Sequence, residues 1–189
     1  MRVPLTGELL ETPAAVEPYR EEWDRLAVTA ERPFGAPAWA LAWWRHTGSP
    51  RSVLRVIAVR ASDGSLAGIA PLGVDRSHGL GRYRFLGSEA GARIEPLARP
   101  GAEAEVAAAV AAILARAEPR LDLLRFVRIP AESPWPALIA ESWPGERRPW
   151  VEVSEVVSAP VVTLTAGSFE EWMGGKSSNF RQQMRRGRR

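Results

Sequence analysis

Residues Val53 to Val74, VLRVIAVRASDGSLAGIAPLGV, decide how the rest of this chain is read. Val53 to Val59 is almost continuously apolar. In a strand, Leu54, Val56 and Ala58 face one side while Val53, Ile57 and Val59 face the other, the pattern of a strand buried on both faces. Ser62-Asp63-Gly64-Ser65 supplies residues that tolerate a positive φ or hydrogen-bond their own backbone, so the stretch folds back as a hairpin. Leu66, Ile69 and Leu72 carry the return strand. Pro71 lacks the N–H that a ladder uses, which predicts that this strand ends there, bulges, or lies at an edge.

Outward from the hairpin the elements follow in order. A short strand is expected within residues 1–12. Thr12-Pro13 then opens a helix with Tyr19, Trp23, Leu26 and Ala30 on one stripe. Pro37 starts a second helix, with Trp39, Trp43 and His46 on one face and Gly48 at its end. These tryptophans read as core packing before they read as a ligand groove. Asp75 to Gly81 is expected to be a polar loop, Tyr83 to Leu86 a strand ending at Gly87, and residues 88–101 irregular. Val106, Val110, Ile113, Leu114 and Ala117 line one face of a helix over 102–117, with Glu103 and Glu105 in its first turn. Leu121 to Ile129 reads as a strand, Ser133 to Ser142 as a helix, and Trp150 to Val157 and Val161 to Leu164 as two more strands. Ser168-Phe169-Glu170-Glu171 has capping-box spacing for a helix ending at Gly174-Gly175, and another helix follows.

Composition narrows the chemistry. The 189 residues are 46% hydrophobic and 25% charged, which suits one globular domain, or one domain and the start of another. With no cysteine and only His46 and His78, the sequence offers neither thiol chemistry nor a cluster of metal ligands. It contains no run of about 18 apolar residues and no charged-then-apolar leader, so neither a membrane span nor a signal peptide is expected, and the default location is the cytoplasm. The net charge is +3, yet residues 176–189 alone carry +6 with no acid, which leaves −3 for the rest. The basicity belongs to this segment and not to a nucleic-acid-binding body, so nucleic acid is not an expected partner. Arg181, Arg185, Arg188 and Arg189 share a helical face there and are candidate anion-binding residues; the alternative is a solvated or interdomain face.

No catalytic triad can be assembled from the two histidines. Gly79-Leu80-Gly81 precedes a strand and opens no helix, so it fails as a dinucleotide loop. Isolated glutamates define no glycosidase pair.

A resemblance adds to this reading. Phe34 with Pro37-Ala38-Trp39 and Ala42-Trp43-Trp44, then Gly68-Ile69-Ala70-Pro71-Leu72, Phe85-Leu86-Gly87, Ser168-Phe169-Glu170-Glu171-Trp172 and Lys176-Ser177-Ser178-Asn179-Phe180-Arg181 together resemble the CelD/BcsL-type acetyltransferases. That family is associated with cellulose and other exopolysaccharide biosynthesis and is similar to the FemABX-like group, which carries two GNAT-like halves in one chain. The resemblance implies an α/β fold, a mixed sheet flanked by helices in the GNAT acyl-CoA N-acyltransferase order, with a first domain over 1–166. Residues 167–189 would be a linker helix and the start of a second, C-terminal GNAT domain, the partner of this one. It also implies acetyl transfer from acetyl-CoA to an amine-type, small-molecule acceptor. The family's cofactor loop, Gln/Arg-x-x-Gly-x-Gly/Ala, should fall in Ser88 to Gly101, SEAGARIEPLARPG, but the motif is missing there. Acetyl-CoA binding and catalysis are therefore expected of the other half. Within this half, the resemblance directs attention to Tyr83, Glu89 and Arg93, beside the tryptophans, with Glu89 where a base would sit. The competing class is a non-enzymatic module whose basic terminal helix engages an anionic partner, either nucleic acid or an anionic surface.

Overall fold

A computed structural model describes residues 5–49, 52–77, 79–146, 148–158 and 166–187. The chain divides into two compact units, Met1–Glu152 and Val153–Arg189. The boundary expected at 166/167 falls inside the second.

In the first unit, β1 (Thr6–Leu10) leads to α1 (Pro13–Val16), a single 3₁₀ turn, α2 (Arg20–Thr29) and α3 (Pro37–Thr47). The stripe expected on one helix is thus split, because Pro18 lies in the 3₁₀ turn Glu17–Tyr19 and has no N–H to continue an α-helix. Tyr19, Trp23 and Leu26 are nevertheless all buried. The hairpin is β2 (Ser52–Arg60) and β3 (Leu66–Ser77), followed by β4 (Leu80–Phe85), β5 (Leu97–Ala98), α4 (Glu103–Leu114), β6 (Leu123–Arg125) and α5 (Trp135–Glu141). Among the described residues the sheet has six strands in the order β1-β2-β3-β4-β6, with β5 also paired to β3. Every pairing is antiparallel except β4 with β6.

Two apolar layers cover the two faces as the β2 alternation requires. Ile57 and Val59, with Leu72, Val74, Tyr83 and Phe85, pack under Val106, Val110 and Leu114 of α4 and under Trp135 and Ile139 of α5. Leu54, Val56 and Ala58, with Leu66 and Ile69, pack under Val16, Tyr19, Trp23, Leu26 and Ala40. Each fully buried large side chain contributes roughly 1.5–3 kcal/mol relative to exposure. Close approach of α4 to β3 depends on Gly68, where a Cβ would lie 2.6 Å from both Val106 methyls.

Several expectations are corrected. Pro71 neither ends β3 nor lies on an edge strand. Its carbonyl accepts from Leu86 N–H at 2.9 Å, so its nitrogen faces the same side, where the β4 ladder stops at Leu72–Phe85 and β5 pairs only Gly68 and Ile69. The missing donor falls in the gap between those two strands. Asp75 to Ser77 is strand and not loop, since a polar strand end is supported by the ion pair of Asp75 with Arg84 across the ladder at 2.7 Å. Residues 88–101 contain a 3₁₀ turn and β5. The strand expected over 121–129 shortens to three residues: β6 pairs only with Arg82 to Arg84, and Arg128 at φ 56 leaves the extended region.

In the second unit, α6 (Phe169–Gly174) and α7 (Ser178–Gly187) form where capping predicts them. Trp150 to Val157 enters no strand; Trp150, Val153, Val156 and Val157 are largely exposed. Alternation supplies an extended backbone, but a ladder also needs a partner edge. The expected strand Val161 to Leu164 lies outside the described residues.

Candidate functional site

Tyr83 and Arg84 are adjacent on β4, so their side chains leave the sheet on opposite faces. Tyr83 is fully buried on the α4 side. Its hydroxyl donates to the Pro119 carbonyl at 2.7 Å. Arg55, 6% exposed, lies on the same face; it donates to the Leu54 carbonyl at 3.0 Å and to the Glu118 carbonyl, and pairs with Glu11 at 2.7 Å. Burial raises the Tyr83 pKa above its ordinary value, and the Arg55 charge opposes that shift. The phenol is thus neutral and engaged, and it fastens β4 to the chain leading into β6.

On the other face the Arg84 guanidinium meets Asp75 at 2.7 Å and Glu89 at 2.9 Å, and lies 5.4 Å from the Trp43 ring centroid. The Ser52 hydroxyl donates to Asp75. The structure therefore brings Glu89 to Trp43 through Arg84 and places Tyr83 across the sheet from both. Arg93 is exposed on the loop. Glu89 is held as an ion-paired carboxylate and not as a base facing the phenol.

Sequence reasoning passed over a better-buried carboxylate. Glu95, 8% exposed, accepts from Ser133 Oγ at 2.6 Å and from the Arg32 guanidinium at 3.3 Å. It joins the segment before α3, the loop after β4 and the loop before α5. Its signal in the sequence was an acid between Ile94 and Pro96-Leu97, an apolar context that an exposed loop acid does not need. Close by in the chain, Gly87 adopts φ 85, and a Cβ there would lie 2.4 Å from Trp39 Nε1. Gly91 adopts φ 87 with the Arg128 guanidinium against it. The C-terminal ends of β4 and β6, where open α/β sheets place ligands, are thus tied by Glu95 and closed in by side chains. Both Glu95 oxygens are engaged, so the group positions loops.

Helix α4 follows this loop. Its N-cap, Ala102, makes no side-chain cap, and Glu103 and Glu105 occupy the first turn. The positive dipole end would favour an anion there, but two carboxylates disfavour a pyrophosphate.

Among the arginines of the last helix, Arg181 directs one nitrogen to the Gly174 and Lys176 carbonyls at 3.0 and 2.9 Å, capping α6. Arg185 and Arg186 are exposed; Arg188 and Arg189 lie outside the described residues, as does His78. His46 is exposed in the last turn of α3. Trp39, Trp43 and Trp44 are half-buried against the two cores. Among the described residues no helix is long and apolar enough to cross a membrane. Comparison with protein-family models, with curated proteins and with solved structures finds no match.

Proposed function

We propose that this chain is the first, non-catalytic half of a GNAT-type N-acyltransferase that moves an acetyl group from acetyl-CoA to an amine-type acceptor in exopolysaccharide or cellulose biosynthesis. The observation that carries the reading is the strand arrangement. An antiparallel meander of β1 to β4 is followed by the α4 crossover and a single parallel pairing, β4 with β6. This follows the order expected from the resemblance, strand, helices, three strands, helix, strand, helix, with one more helix before β2 and the two-residue β5 before α4.

The non-catalytic part of the reading rests on chemistry. The loop after β4 lacks the cofactor motif, Glu103 and Glu105 stand where a pyrophosphate would be received, Glu89 is ion-paired with Arg84, and Tyr83 is sealed under α4. Acetyl-CoA therefore belongs to a second GNAT-like domain of the same protein, and this half supplies scaffold and packing. An anion-binding role for α7 has less support, because Arg181 is engaged within the hairpin and, among the described residues, the exposed cations of α7 are Arg185 and Arg186.

The genomic sequence downstream of codon 189 tests the reading. A second run of strands and helices in the same order, carrying the Gln/Arg-x-x-Gly-x-Gly/Ala loop, supports it. A stop codon at that position contradicts it.

A further inference from the structure

The α6–α7 hairpin is well capped and poorly buried. Ser168 Oγ accepts from Glu171 N–H at 3.1 Å, the Glu171 carboxylate accepts from Gly167 N–H at 2.9 Å, and Ser177 Oγ accepts from Phe180 N–H at 3.3 Å. Trp172 holds the two helices together, stacked on Phe169 and edge-on to Phe180, each with centroids 5.9 Å apart, with the Lys176 ammonium 4.5 Å from its ring centroid. Yet neither helix contains a buried residue. Phe169 is 46% and Met184 41% exposed. Two helices of six and ten residues offer too little area to enclose a core of their own.

What they leave open is a polarised groove. Its floor is Phe169, Met173 and Met184; Glu170 stands on the α6 wall, and Arg181 and Arg185 on the α7 wall. Acid on one wall and base on the other make this surface complementary to itself about a two-fold axis, the geometry of an isologous interface. We propose that the groove is covered by the same hairpin of a second copy of this chain, giving a four-helix contact. Glu170 of each copy faces Arg185 of the other, and the Met184 side chains fill the shared floor. A polyanion or an anionic bilayer fits less well, because Glu170 and Glu171 in the first turn of α6 would be driven against the same negative charge. This inference rests on the hairpin alone and does not depend on the acyltransferase reading.

Sedimentation equilibrium of the full chain from about 1 μM to about 1 mM, a range suited to a small interface, tests it. A concentration-dependent dimer is expected. Met184→Glu should abolish it, Glu170→Arg and Arg185→Glu should each weaken it about tenfold or more, and the Glu170→Arg/Arg185→Glu double variant should recover it. All three substitutions are at exposed side chains, and an unaltered main unfolding transition verifies that the fold is intact. A monomer throughout the range overturns the proposal, as does a dimer indifferent to these substitutions or a double variant no tighter than the single ones. A monomer retained on heparin or on anionic vesicles overturns it in favour of a polyanionic partner.

Discussion

The Tyr83 hydroxyl reaches the Pro119 carbonyl at 2.7 Å, and through that bond the middle of β4 holds the chain that enters β6 as its parallel neighbour. Removing the hydroxyl leaves a buried carbonyl without this donor. Tyr83→Phe should lower unfolding free energy by about 1–2 kcal/mol, measured by urea denaturation at neutral pH. Burial also raises the folded-state pKa of Tyr83 above the ordinary 10.0. Folding therefore favours the protonated phenol: that contribution is complete below about pH 10 and is lost as pH rises through the folded value. The variant should lose less stability than the parent above pH 10, and equal alkaline slopes would refute this account of the site.

Gly68 tests the close packing of α4. A Cβ there would lie 2.6 Å from both Val106 methyls and 2.8 Å from the Leu97 carbonyl oxygen. Gly68→Ala should cost about 1–3 kcal/mol, and paired with Val106→Ala it should cost less than the sum of the two separate changes. Strict additivity would show that the two positions do not touch.

Glu95 is assigned a positioning role. Glu95→Ala leaves the Ser133 hydroxyl and the Arg32 guanidinium without this partner, and should destabilise the chain by about 1–3 kcal/mol. Glu95→Gln, which keeps an acceptor for Ser133, should cost less. Unchanged denaturation midpoints in both variants would remove the clamp from the account.

Much of the fold was legible in the sequence, for identifiable reasons. The β2 alternation assigned Leu54 and Ile57 to opposite layers, the α4 stripe stated its buried face, and Ser168 announced the cap of α6. What was not legible depended on partners distant in the chain. Pro71 is tolerated inside β3 only because β4 and β5 leave a gap beside it. Asp75 continues a strand because Arg84, diagonal to it on β4, pairs with its carboxylate. For the candidate site, the resemblance grouped Tyr83, Glu89 and Arg93, but the pleat separates Tyr83 from Glu89. The buried acid, Glu95, is held by Arg32 and Ser133, each far from it in sequence.

Glu152 and Glu155 lie exposed in a segment that joins no ladder, at the division between the two compact units. Brief digestion with a glutamate-specific protease should cut there first and leave a folded fragment ending near the division. A first cut inside the sheet or in the loop around Glu89, found by intact mass, would contradict the two-unit organisation.

The central proposal is that this chain is a GNAT-like half that does not hold the cofactor, and thermal unfolding across an acetyl-CoA titration tests it most directly. A ligand that binds only the folded state adds about 2.7 kcal/mol at 100-fold over its Kd, which for a domain of this size raises Tm by roughly 5–10 °C. The account predicts no saturable shift up to about 1 mM acetyl-CoA, a level that detects micromolar binding. A saturable rise would contradict it, and would mean that this chain holds the cofactor without the usual loop.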